Sequence, residues 1–313
     1  MSSKIKKYIF TNAFTTVGFS ILIADLILGI IGHFWTPYPP TATFTPNLPP
    51  SSQHLLGTDT FGHDVFSVML VSTLPTLLVG LGIGALTTLI STAIGILGGY
   101  YGARRTGVII DVATILALAI PGVLILILLG AYFQSASSVI GYDVVVFALA
   151  ITGWAWGAKV MRAQVLSLSN REYIIASKLI GEKSWRIMFQ QILPPIVPLT
   201  MGQFLFGTLY GVLSLTTAEF WGVIPVTTEN LGTMLSLIAS GSAYLIGDWW
   251  WILGAILPIV VMAIGIGFLI VGLDEISDPR LRKMKFTTEK IEVPIPTDEK
   301  VVNIVVTREE VEK

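Results

Sequence analysis

Six stretches of this chain are long and apolar enough to cross the hydrocarbon core of a bilayer, which takes about 20 residues of helix. They are 14–34, 74–99, 112–133, 144–160, 196–217 and 249–271. Lipid offers the backbone no water, so each stretch must close its own hydrogen bonds as a helix. Composition agrees: 53% of the 313 residues are hydrophobic and 12% are charged, against about 25% charged in a soluble domain. Mean hydropathy is +0.77. The expected class is all-α and polytopic. A net charge of −1 gives no footing for a nucleic-acid partner. The chain has no cysteine, which excludes disulfides and thiolate metal sites.

Lys and Arg collect in cytoplasmic loops. With the N-terminus inside and six crossings, all 19 of them fall on the cytoplasmic side, eight of them after residue 271. A seventh crossing through 233–247 would strand those eight outside. That stretch is also short for a crossing and suits a re-entrant or interfacial segment. Six spans with both termini in the cytoplasm are therefore expected. The first span follows MSSKIKKYIF, exceeds the apolar core of a signal peptide, and reads as a retained signal anchor.

The opposite face carries Asp59, Asp64, Asp143, Glu219, Glu229 and Asp248, with no Lys or Arg. Either acids are merely tolerated there, or they form a rim that receives a partner. Asp59, Asp64, Glu219 and Glu229 are the candidate contacts. His33, His54 and His63 with Asp59 and Asp64 lack a compact ligand spacing, so no metal site is expected. Within the spans, Asp25 is either a packing residue or part of a pathway. Gln203 is a similar candidate. Asp111 suits an interfacial cap. Pro121 and Pro258 are expected to kink their helices.

Between the fourth and fifth spans lies EYIIASKLIGEKSWRIMFQQILP, residues 172–194. It is amphipathic and charged where its surroundings are apolar. Ser169 and Glu172 offer a capping box, which predicts a helix over 171–180. Gly181 is placed to end it in a left-handed turn. A second helix is predicted over 183–193, stopped by Pro194-Pro195.

The segment resembles the EAA loop of binding-protein-dependent ABC importer permeases, E-A-A-x3-G-x9-I-x-L-P. Ala176 and Ser177 fall on the two alanines, Gly181 on the glycine, and Leu193-Pro194 on the final pair. Ile175 stands in the glutamate place and Gln191 in the isoleucine place. Three further stretches resemble blocks of the dipeptide/oligopeptide type: LLGTDTFGHDVF at 55–66, with His63 where Arg is usual; GGYYGARRTGVIIDV at 98–112; and GLDEISDPRLR at 272–282.

This resemblance implies the smaller permease subunit of such an importer, with the type I importer permease fold. It implies a coupling helix that docks in a cytoplasmic ATPase. The residues concerned are Glu172, Ala176, Ser177, Gly181, Glu182, Lys183, Leu193 and Pro194. The implied partners are a second related permease, two ATPase subunits and an extracellular solute-binding protein, in the plasma membrane of a prokaryote. ATP and Mg would be bound by the ATPases. The chain itself has no G-x-x-x-x-G-K-[ST] stretch and is expected to bind no cofactor and to be no enzyme. Peptides are the default cargo; oligosaccharides or nickel are the alternatives. A secondary transporter or channel would explain the spans and Asp25 but not the Gly-broken cytoplasmic segment. An intramembrane enzyme lacks H-E-x-x-H and G-x-S-x-G here.

The chain divides into a first span with its outer loop (1–73), a permease core (74–283) with the coupling loop at about 163–195, and a charged tail (284–313). The tail holds two β-prone runs, 291–295 and 301–306. They read as disordered or as a small hairpin, with disorder favoured by composition.

Overall fold

The computed structural model describes residues 13–135, 142–222, 230–277, 286–293 and 302–309. Helix α1 is Ala13–Phe34 and α2 is Val65–Tyr101. The third apolar stretch forms two helices, α3 (Arg105–Leu118) and α4 (Gly122–Ser135). Then come α5 (Tyr142–Ser169) and α6 (Glu172–Leu179). Helix α7 runs Ser184–Phe220. Two short helices, α8 (Leu231–Ser240) and α9 (Ala243–Ile246), precede α10 (Trp249–Ser277). Five of these, α1, α2, α5, α7 and α10, are long and apolar enough to cross a membrane.

The third stretch departs from a simple kink. Pro121 has no N–H to give α3, and the ladder opens: the Ile120 amide turns to Ala117 O at 3.3 Å, and Leu124 N–H bonds Pro121 O. Pro258, by contrast, lies inside an uninterrupted α10, as Pro75 does in α2. The stretch 233–247 is divided between α8 and α9, too short for a continuous crossing.

Helix α2 is the hub, packed against α1, α5 and α7. Lipid supplies no hydrophobic drive between helices, so close approach depends on small residues. Gly29 lies against Leu74 of α2, and Gly18 against Gly265 O of α10. With Thr15, Asp25 and Gly32 these glycines form the buried stripe of α1. On α2, Gly99 abuts Val165 and Arg162 O of α5.

The outer segment 35–64 is folded back on the helices. Tyr38, Phe44 and His54 form a ring cluster. Trp250 Nε1 donates to Thr58 O at 3.2 Å, tying it to α10. Beyond the helices, β1 (Phe286–Val293) pairs antiparallel with β2 (Val302–Glu309), Ile291 opposite Ile304. The tail thus holds a hairpin where disorder was favoured. β1 carries Thr287, Thr288, Ile291 and Val293 and β2 carries Val302, Ile304, Val305, Val306 and Thr307, a β-branched enrichment that bulk composition does not register.

Candidate functional site

Helix α6 stands at the turn between α5 and α7. Its expected capping box is not formed. Ser169 is the last residue of α5, so its backbone is helical, and Arg171 takes the extended N-cap position of α6. The other end matches expectation. Gly181 has φ +81°. Its N–H bonds Lys178 O at 3.2 Å, and Glu182 N–H bonds Ser177 O at 3.1 Å. Those two bonds make a complete Schellman closure. A Cβ at Gly181 would meet nothing within 4 Å, so glycine is needed there for its backbone and not for space.

The helix expected at 183–193 is not separate, and Pro194-Pro195 do not stop it. Residues Ile187–Ile192 are π-helical, and Leu193 N–H bonds Met188 O, five residues back. This wider turn shifts the ladder by one residue. Both prolines then sit in the first turn of the regular α-helical part, where a missing N–H costs little. The segment therefore continues directly into the apolar part of α7.

Ile174 is completely buried and anchors α6 in a cluster with Tyr100, Val165, Ile187 and Ile192. The sequence reading passed over it; a single buried position on a short helix leaves no periodicity. The opposite side is open. Glu172, Ala176 and Lys183 are exposed, Ile175 is 45% exposed, and Leu179 and Ile180 reach 83% and 82%. Met188 and Ile192 are buried while Trp185 and Phe189 face out, so these four do not share one face. Leu193 is half-buried on the Ile174 cluster, and Pro194 is exposed.

Gln191, one of the two departures from the EAA pattern, meets Ser177, which stands on an alanine place. Ser177 Oγ donates to Gln191 Oε1 at 3.0 Å, and Gln191 Nε2 donates to Glu182 Oε2 at 2.6 Å. This bridge ties α6 to the start of α7 across the elbow. Its sequence signal was Gln191 in the isoleucine place of the pattern. Lys178 lies over the Tyr100 ring, 4.8 Å from its centroid. Partial burial, and then the Arg104 charge, lower its pKa from the ordinary lysine value.

Elsewhere the structure corrects the acidic rim. Asp59 and Asp64 are 4% and 2% exposed and Glu219 is fully buried. Asp59 accepts from the Phe61 and His63 amides, both at 2.8 Å, and from His63 Nδ1 at 3.0 Å. Asp64 caps α2 through the Ser67 amide and pairs with His54 Nδ1 at 2.8 Å. Glu219 accepts from Asn230 Nδ2 at 2.8 Å. Buried carboxylates need such partners, and these three are thereby unable to present a surface. Glu229 lies outside the described residues. Of the other acids, Asp143 is exposed and Asp248 is 2% exposed. His63, in the usual Arg place, serves the Asp59 turn.

Asp111 is not a cap. It lies within α3 and pairs with Arg162 of α5 at 3.2 Å. The two pathway candidates separate. Asp25 is 3% exposed on the packing stripe of α1. Gln203 lines a cavity and donates to Gly157 O at 3.1 Å.

Comparison with known proteins places this arrangement. The profile described as "Binding-protein-dependent transport system inner membrane component" matches residues 91–283, which include the elbow. The chain belongs to this family. It is 30% identical to the oligopeptide transport system permease protein OppC of Bacillus subtilis, over 87% of this chain and 88% of that one. It is 28% identical to the dipeptide transport system permease protein DppC of the same organism, over 87% and 83%. The nickel transport system permease protein NikC of Escherichia coli is 26% identical over 72% of this chain. The permease is thus a multi-pass membrane component of an ABC importer of the dipeptide/oligopeptide type. It is not an enzyme; the ATPase is a separate subunit.

Proposed function

We propose that this permease forms half of the pathway of an importer of di- and oligopeptides and that α6 and the Gly181 elbow are its ATPase docking element. The exposed Leu179 and Ile180 beside a rigid Schellman turn carry the docking reading. Apolar side chains this open favour cover by another protein, and exposed ion pairs alone contribute little. The opposite face, fixed by Ile174, and the unbroken run into α7 would pass a push at α6 into the membrane helix.

Peptide cargo is supported by the relatives named for dipeptides and oligopeptides. In this reading there are six crossings, the third made by α3 and α4 together, with both termini in the cytoplasm of a prokaryote. A second permease, two ATPases that bind ATP and Mg, and an extracellular binding protein complete the assembly.

Co-purification of the ATPase tests the docking element. Leu179→Asp with Ile180→Asp should abolish it, as should Gly181→Pro. Retention of the ATPase by the double variant would overturn the assignment. Glu172 is exposed one turn before Ile175, which occupies the usual glutamate place. If Glu172 supplies that acid, Glu172→Ala should lower coupled ATP hydrolysis; a silent variant leaves the apolar Ile175 as the contact.

A further inference from the structure

A cavity of about 350 Å³ opens where α2, α5 and α7 pass the break between α3 and α4. Thr87, Thr88, Pro121, Gly122, Gly153 and Gln203 are among its walls. Each lies near the middle of an apolar stretch, 74–99, 112–133, 144–160 or 196–217, so the cavity sits near the bilayer midplane. Irregular backbone at that depth is tolerated where it lines a cavity. Among the described residues the wall holds no Asp, Glu, Lys, Arg or His.

Two of its hydroxyls have no partner. Thr87 Oγ1 and Thr88 Oγ1 are unbonded although the residues are only 6% and 7% exposed. A helical threonine ordinarily turns its hydroxyl to the carbonyl one turn back. Thr73, Thr76, Thr114, Thr200, Thr208 and Thr216 all do so. Buried polar groups of this kind are normally satisfied, and here they stand at a space of ligand size. On the far side, Trp156 stacks on Phe206 with centroids 4.8 Å apart. Both rings also line a second cavity of about 690 Å³ that reaches Gln164 and Pro195. The pair therefore stands between two chambers along α5 and α7.

We propose that the midplane chamber binds the backbone amides of the passing peptide, with the Thr87 and Thr88 hydroxyls as partners. The inference rests on the peptide-import reading and deepens it. A hydroxyl both donates and accepts, which matches an amide group presenting N–H and C=O. An uncharged wall gives no counter-ion to a peptide terminus and no imidazole or carboxylate ligand to a metal cation. The chamber thus holds the interior of an extended chain and leaves its side chains and termini unread.

The test uses the assembled importer in proteoliposomes, with trialanine as the probe and uptake as the readout. Thr87→Val with Thr88→Val keeps the volume and removes both hydroxyls. It should lower the maximal uptake rate about tenfold, the size of one or two lost hydrogen bonds. The chain has no cysteine, so a single Thr88→Cys gives a second measure that does not depend on the valine variants assembling. Trialanine during turnover should slow its modification by a small thiol reagent, and a nickel salt should not. Unchanged uptake by the double variant, or labelling of Thr88→Cys indifferent to trialanine, would overturn the chamber while leaving peptide import standing. Uptake of nickel or an oligosaccharide with no uptake of trialanine would overturn the cargo reading and the chamber together.

Discussion

Gln191 departs from the EAA pattern at its isoleucine place, Ser177 stands on an alanine place, and together with Glu182 they bridge the elbow. Gln191→Ile alone should destabilise the purified complex by about 1–2 kcal/mol, since it strips Glu182 of its amide donor. Adding Ser177→Ala should recover part of that loss, because the pair then matches the apolar pattern. A double-mutant cycle on thermal unfolding decides it: strictly additive effects would mean that the two positions are not coupled. By sequence Asp59, Asp64 and Glu219 are candidate contacts, yet each is buried on internal donors. For Asp59 and Asp64 those donors are near neighbours in the chain, the Phe61, His63 and Ser67 amides.

At the scale of elements, the Gly181 turn and the prolines behave by different rules. The turn was legible because one residue type serves a left-handed backbone at low cost. Since a Cβ there would meet open space, substitution should reveal the backbone term alone. Gly181→Asn should cost about 1 kcal/mol or less, and Gly181→Val distinctly more, because a β-branched residue tolerates positive φ least. Melting temperature and ATPase co-purification report both; equal losses for the two variants would show that φ is not the constraint. Pro194-Pro195 misled because the effect of a proline depends on the ladder around it. Pro121 breaks the third stretch, Pro258 does not break α10, and Pro194-Pro195 are absorbed by the π-helical Ile187–Ile192. At Pro194-Pro195 the register shift puts the missing N–H groups in a first turn, where they cost little.

For the whole molecule, sidedness is open to direct measurement because the chain lacks cysteine. A single cysteine at Ser51 should react with a membrane-impermeant thiol reagent on intact cells, and one at Leu179 only in inside-out vesicles. The reverse pattern would overturn the orientation drawn from Lys and Arg.

Hydropathy by itself determined which stretches are helices, since lipid forces each to close its own bonds within a few residues. The sequence likewise determined the family, because the coupling elbow and its flanking blocks are contiguous patterns. Tertiary structure decided what depends on distant partners. It buried Asp59, Asp64 and Glu219. It also left Thr87 and Thr88 unpaired beside a cavity shaped by α3, α5 and α7. The cavity depends on packing between residues far apart in the chain, and no window of local sequence contains both sides of such a contact.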